Sequence, residues 1–145
     1  LGVFMPRILE TTSVEQSRRV IATFLSRLVE NNGFRAAIYY ESHMVGVAGF
    51  KYIDWLNKKT EIMYWVDQGY LGRGIATACV EKLVDIAFSE YKLNKVVIKA
   101  STDNIASNRV AKKCGFVLEG ISWQDEYLPS GYTDVNVYSL LKKGE

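Results

Sequence analysis

Gly69, Gly72 and Gly74 fall in one short polar turn, and that turn joins two segments of opposite character. Before it runs an apolar, aromatic-rich stretch, Ile62-Met63-Tyr64-Trp65-Val66; after it, from Ile75, comes a long helix-forming segment. A strand that ends in a glycine-dense loop and restarts as a helix aims unpaired backbone N–H groups outward. The first N–H groups of a helix have no acceptor inside it, and the helix dipole adds partial positive charge there. Glycine lacks a Cβ, so it reaches positive φ and lets a ligand approach the backbone. The chemistry that suits these residues is binding a phosphate or pyrophosphate. A nucleoside-triphosphate loop would end in Gly-Lys-Ser/Thr, whereas Gly74 is followed by Ile75-Ala76. A dinucleotide fingerprint, Gly-x-Gly-x-x-Gly/Ala, fits at Gly72 and Gly74 but meets Thr77 at its third position. The acid expected about 20 residues further on would fall near Lys92.

The elements that must position this loop can be read from periodicity. Thr12-Ser-Val-Glu15 has the form of a capping box, and Val20, Ile21, Phe24, Leu25 and Leu28 recur at helical spacing, which predicts a helix over about 13–30. Residues 34–40 and 44–52 read as strands joined by a hairpin at Glu41-Ser42-His43, and residues 59–66 as a third strand. A helix over about 74–90, a short buried-type strand over 96–100 and a helix over 104–114 ended by Gly115 follow. Strands over 116–122 and 134–141 close the chain, separated by a turn at Pro129-Ser-Gly131. The pattern is α/β with a mixed, mostly antiparallel sheet, in a single domain over 1–145.

Composition narrows the function classes. A net charge of +2 is too small to argue for nucleic acid, and no basic stripe with interleaved aromatics occurs. No apolar run approaches the ~20 residues of a membrane span, and the opening residues do not read as a secretory leader. Cys79 and Cys114 sit in helix-like segments without metal-type spacing, and read as reduced thiols of a cytoplasmic protein. No His, Cys and acid cluster suggests a metal; His43, the lone histidine, reads as a hairpin-tip residue.

Two further segments turn the generic anion loop into something more specific. Leu71-Gly-Arg-Gly-Ile-Ala76 resembles the Arg/Gln-x-x-Gly-x-Gly/Ala signature of the GNAT acetyltransferases, with Leu71 in place of the leading polar residue. Asn104-Ile-Ala-Ser-Asn-Arg-Val-Ala-Lys-Lys-Cys-Gly-Phe116 resembles that family's later Asn-x-x-Ser-Asn helix leading to Gly-Phe. Glu126-Tyr-Leu-Pro-Ser-Gly-Tyr-Thr-Asp134 and the residues up to Tyr138 resemble its RimJ/RimL branch, which acetylates protein N-terminal amines, ribosomal proteins among them. These matches run over about 44–141. The family begins with a strand and helix of which Leu1–Leu9 reads as a remnant, so the N-terminal strand is expected to be incomplete.

The resemblance implies acetyl transfer from acetyl-CoA to an amine by direct attack in a ternary complex. Val66 would end the strand that pairs with the pantetheine arm, and Leu71, Gly72, Arg73, Gly74, Ile75, Ala76 and Thr77 would cradle the pyrophosphate, with Arg73 as the charge partner. Asn104 and Asn108 match the family's coenzyme A contacts; Asn104 is also a natural N-cap. Glu126 matches the RimL-type base position and Glu61 the strand position where many members place theirs, while Ser107 matches the serine assigned to protonate the departing thiolate. Tyr127 and Tyr138 are weaker candidates, and Trp123 is close enough in sequence to Glu126 to line an acceptor groove. An α-amine, at a pKa of ~7.7–8.0, needs less help from a base than a lysine at ~10.4; the gap of roughly 2.5 units is about 3.5 kcal/mol. The RimJ/RimL resemblance of the segment from Glu126 to Tyr138 implies a protein N-terminus as the favoured acceptor. A small amine such as a polyamine or aminoglycoside, and a non-catalytic acyl-CoA-binding module, are the alternatives. No metal, nucleic acid or membrane partner is expected, and a homodimer is left open.

Overall fold

The computed structural model describes residues 4–12, 19–27 and 33–143. They build one eight-stranded sheet in the order β1-β2-β3-β4-β5-β6-β8-β7. Two N-terminal strands, β1 (Phe4–Thr12) and β2 (Arg19–Arg27), pair antiparallel, and β2 pairs in turn with β3 (Phe34–Tyr40). The helix expected over 13–30 is therefore a strand over Arg19–Arg27; residues 13–18 and 28–32 lie outside the described residues. Val20, Ile21, Thr23 and Phe24 are β-branched or aromatic and favour an extended backbone. Ladder pairing on both sides, to β1 and β3, outweighs the 3.6-residue spacing.

The remaining elements follow the expected order. In β3 Phe34, Ala36, Ile38 and Tyr40 are buried at every second position, as a strand with one core face requires. Glu41 and Ser42, at φ of 50° and 71°, turn the chain into β4 (His43–Asp54), the positive-φ pair of a tight hairpin. β4 and β5 (Lys59–Val66) pair antiparallel. α1 (Ile75–Asp85) extends through a π-type turn, Ile86–Glu90, and buries Ile75, Cys79, Leu83, Ile86 and Ala87. This is the apolar face its sequence spacing predicts. β6 (Lys95–Ser101) is buried at Val96, Ile98 and Ala100.

α2 (Ile105–Lys113) is capped at both ends by its own sequence. Asn104 Oδ1 accepts from the Ser107 N–H at 3.0 Å. Gly115, at φ 87°, lets its N–H reach the Lys112 carbonyl (3.1 Å) and the Phe116 N–H reach that of Ala111 (3.0 Å), a Schellman closure. β7 (Val117–Leu128) runs further than expected and meets β8 (Gly131–Leu141) across Pro129-Ser130.

Three irregularities in this sheet shape the site. The parallel pairing of β5 with β6 covers only Lys59–Ile62 against Lys95–Ile98, although both strands continue. In β4 the register slips between Phe50 and Tyr52, which leaves Lys51 as an extra residue. In β7 the register slips between Ser122 and Glu126, so that Trp123, Gln124 and Asp125 oppose Asp134 alone.

Candidate active site

Beyond Ile62 and Ile98 the two parallel strands separate, and the edge of β5 from Met63 to Val66 has no partner on β6. Strand parity decides what faces this slot. The register pairs Glu61 with Val97, so Glu61 and Met63 share a face with Lys99 and Ser101, while Ile62, Tyr64 and Val66 share the opposite face with Ile98 and Ala100. Tyr64 touches Ser107 of α2 on the second face, and Lys99 approaches Asp125 of β7 on the first. The slot thus joins a helix-covered face to an open one.

On the open face lies a cleft of about 480 Å³, bordered by Lys51, Glu61, Lys99, Asp125 and Glu126, with Ser107 reaching it from the helix side. Glu61 and Glu126 stand 65 residues apart in sequence, by the difference of their numbers, and meet here for two reasons. Glu126 pairs with Thr133, whose hydroxyl bonds that of Ser101 at 3.0 Å, which fixes it on the Glu61 face. The β7 bulge is held by the Gln124 N–H donating to Asp134 Oδ1 at 2.8 Å, with Gln124 at φ 48°, and it turns Asp125 toward the same cleft. Glu61 is buried and its Oε2 lies 3.6 Å from Lys51 Nζ, the residue freed by the β4 bulge. Asp125 lies 3.5 Å from Lys99 Nζ. Glu126 is exposed, and among the described residues no ion pair is recorded for it.

On the helix side Tyr64 donates its O–H to the Ser107 carbonyl at 2.9 Å and accepts the Ser107 hydroxyl at 3.1 Å. Burial pushes the Tyr64 phenol up to about 12, so it stays neutral through the ordinary pH range. Ser107 and Tyr64 border both this cleft and a smaller groove of about 190 Å³ that runs past Val66, Leu71 and Ala76. That groove shares Val66, Leu71, Ala76 and Val110 with a further cleft of about 500 Å³ at the glycine loop. One continuous channel results, from Glu126 at one end to the loop at the other.

At the loop, Gly72 and Gly74 sit at φ of 79° and 77°, where a side chain would be strained. Gly69 lies in a 3-10 turn, Gln68–Tyr70, without positive φ, so two of the three glycines carry the conformational argument. The first intrahelical bond of α1 is Ala78 N–H to Gly74 O at 3.0 Å. The N–H groups of Ile75, Ala76 and Thr77 are left without acceptors inside the helix, and these residues line the cleft with Gly72 and Gly74. The structure thus brings Val66, Leu71, Gly72, Gly74, Ile75, Ala76, Thr77 and Asn104 to the channel, with Ser107, Glu61 and Glu126.

Two expected cofactor contacts are placed elsewhere. The Arg73 guanidinium stacks on Tyr70 at 5.1 Å and Tyr40 at 5.7 Å from the ring centroids and does not border the loop cleft. Asn108 is buried and internally saturated. Its Nδ2 donates to the Ser101 and Asn104 carbonyls at 2.9 and 2.7 Å, and its Oδ1 accepts from Asn136 Nδ2 and the Tyr138 hydroxyl at 2.7 and 2.6 Å. Tyr138 is thus a buried strut for α2, and Tyr127 stacks on Tyr132 at the hairpin tip. Trp123 is 83% exposed and does not border the cleft, and His43 bonds the Glu41 carbonyl at 3.0 Å at the far hairpin. Sequence reading missed Tyr64, Lys51, Lys99, Arg109 and Lys113. The last two left a signal, since with Ile105 they form an i, i+4, i+8 row on α2.

A family model described as "Acetyltransferase (GNAT) domain" matches residues 3–117. The chain belongs to the GNAT acetyltransferase family. Among its relatives is the ribosomal-protein-serine acetyltransferase of Escherichia coli (strain K12), 40% identical over 104 residues, which cover 72% of this chain and 58% of that protein. An uncharacterized N-acetyltransferase of Bacillus subtilis (strain 168), YoaA, is 33% identical over 135 residues, 92% of this chain and 76% of YoaA. Of solved structures, a ribosomal L7/L12 alpha-N-protein acetyltransferase, RimL, in complex with coenzyme A superposes with a TM-score of 0.71 at 35% identity, covering 76% of this chain and 62% of that one. The chain therefore spans somewhat under two thirds of the length of that relative and of that structure. In this GNAT domain no helix among the described residues is long and apolar enough to cross a membrane.

Proposed function

We propose that this GNAT domain transfers an acetyl group from acetyl-CoA to the α-amine of a protein N-terminus. The observation that carries the reading is the separation of β5 from β6 beyond Ile62 and Ile98. It leaves a free strand edge leading from the glycine loop to a cleft bordered by the carboxylates of Glu61, Asp103, Asp125 and Glu126 and by Ser107. Acetyl-CoA supplies an activated acetyl thioester. The edge from Met63 to Val66 suits pairing with the amides of its pantetheine arm, and the open N–H groups of Ile75–Thr77 suit its pyrophosphate.

The remaining work falls to side chains on the two faces of the slot. Glu126, free of ion pairing among the described residues, takes the amine proton through water as the C–N bond forms. Glu61 is neutralised by Lys51, which favours a structural or amine-orienting carboxylate over the base. On the helix side the Ser107 hydroxyl is placed to donate its proton to the thiolate released as the C–S bond breaks. That proton is directed at Tyr64, so donation requires the hydroxyl to turn.

The charge of the cleft accommodates a peptide amine. Of the four carboxylates that border it, Glu61 and Asp125 have lysine partners at 3.6 and 3.5 Å, which leaves Asp103 and Glu126 to meet the incoming amine. The relatives named for ribosomal-protein serine and L7/L12 acetylation support the same acceptor class. The two unbonded thiols, Cys79 and Cys114, support a cytoplasmic setting.

Release of free thiol from acetyl-CoA tests the proposal. A peptide with a free N-terminal serine should support release and its N-blocked form should not, and Glu126→Gln should lower kcat by about 10²-fold or more, the usual worth of a general base. Release with spermidine but with no peptide would favour the small-amine reading. Binding without release for every acceptor would favour a non-catalytic module.

A further inference from the structure

The loop cleft has two walls of different chemistry. One is the backbone of Gly72–Thr77, which offers neutral N–H donors and a helix dipole. The other is α2, whose Arg109 and Lys113 stand one turn apart and both border the cleft. Among the described residues neither is recorded in an ion pair, and with Arg73 stacked on Tyr40 and Tyr70 they are the cations that border this end of the channel. Lys112, between them in sequence, turns to the neighbouring surface and does not border the cleft.

We propose that Arg109 and Lys113 form a phosphomonoester site that reads the 3′-phosphate of coenzyme A. The inference rests on the acetyl-CoA reading above and adds what that reading lacks, a receptor for the second anionic group of the ligand. A pyrophosphate diester is served by the backbone donors of the loop. A phosphomonoester, with its second pKa near 6, carries close to two negative charges at neutral pH. It calls for charged donors, and a guanidinium with a neighbouring ammonium provides a planar fork and a point charge. The two groups lie on opposite walls of a cleft of about 500 Å³, as the two anionic groups of one bound molecule require. The consequence is donor selection: thioesters lacking the 3′-phosphate are discriminated against at this end of the channel, remote from the reacting carbon.

Binding, which needs no acceptor, tests the proposal. Dissociation constants of acetyl-CoA and acetyl-dephospho-CoA are measured by calorimetry for the wild type, Arg109→Gln/Lys113→Gln and Lys112→Gln, with circular dichroism confirming that each is folded. The wild type should prefer acetyl-CoA by about tenfold to a hundredfold, the worth of hydrogen bonds to a charged group, and the preference should shrink with added salt. The double variant should lose the preference while binding acetyl-dephospho-CoA as the wild type does, and Lys112→Gln should keep it. Equal wild-type affinity for the two ligands overturns the 3′-phosphate assignment and leaves the acetyl-CoA reading standing. An equal loss for both ligands in the double variant assigns the cations to the pyrophosphate and also overturns it. So does a loss of preference in Lys112→Gln as large as in the double variant, which would reduce the effect to diffuse charge. Binding of neither ligand by the wild type overturns both readings together.

Discussion

Replacing Asn108 by alanine removes four hydrogen bonds at once, and their surroundings differ enough to predict the cost. Asn136 and the Ser101 carbonyl are close enough to solvent for water to replace part of what they lose, at about 0.5–1 kcal/mol each. The Asn104 carbonyl keeps the Asn108 N–H at 3.1 Å. The Tyr138 hydroxyl is different: the residue is 1% exposed and its bond to Asn108 Oδ1, at 2.6 Å, is its recorded partner. An orphaned buried hydroxyl costs about 1–3 kcal/mol. The sum is about 3 kcal/mol, or roughly a 10 °C fall in Tm for a domain of this size. Denaturant unfolding with a constant m-value measures it. The sharper outcome lies in the double variant. Tyr138→Phe alone should destabilise, because it breaks a made bond; in the Asn108→Ala background it should stabilise, because it removes the orphan. If Tyr138→Phe costs the same in both backgrounds, the two side chains are not coupled and the reasoning fails. A folded Asn108→Ala that loses acetyl-CoA affinity well below its Tm would show that the amide reaches the ligand directly.

Three further outcomes follow from the same structure. Burial raises the Cys79 and Cys114 thiols to about 12 and about 11. At pH 8 both should therefore resist iodoacetamide in the folded protein and react on unfolding. These thiols and Tyr64 have folded pKa values above their unfolded ones, so the stability they contribute is complete below about pH 9 and is lost as pH rises toward 11–12, visible as alkaline unfolding in a pH series. At Gly46 a Cβ would collide with the Trp65 carbonyl, a backbone group that cannot swing aside as a side chain could. Gly46→Ala should thus displace the β5 edge and lower both Tm and acetyl-CoA affinity, whereas alanine at Gly120, where a Cβ meets open space, should change neither.

The parts of this fold that could be read from sequence are those governed by local rules. Gly72 and Gly74 occupy positions that need positive φ, Asn104 caps α2, Gly115 ends it, and α1 buries the face its spacing marks. What could not be read depends on register. Thr12–Glu15 and the spacing of Val20, Ile21, Phe24 and Leu25 satisfy a local helix rule, yet Arg19–Arg27 is held as a strand by neighbours on both sides. Arg73 lies inside the loop motif and was the natural phosphate partner, but the aromatic rings of Tyr40 and Tyr70 claim it, and one of those rings belongs to a strand 33 positions away by residue number. Lys51 reaches Glu61 because a bulge adds a residue to β4, and no local pattern announces that slip.

Register also accounts for why the candidate chemistry divides as it does. Because Glu61 pairs with Val97, the carboxylates and their lysines gather on one face of the sheet, while Tyr64, Ser107 and the glycine loop lie on the other. A two-residue shift in the β5–β6 pairing would keep those faces but change how far the strands run together, and so close or widen the slot between them. A one-residue shift would send Glu61 into the helix-covered core and Tyr64 to solvent. The division therefore depends on the four pairs from Lys59–Lys95 to Ile62–Ile98 more than on any residue in the cleft. Those pairs fix where the sheet opens, and the opening joins the face that holds Glu61 and Glu126 to the face that holds Tyr64 and Ser107.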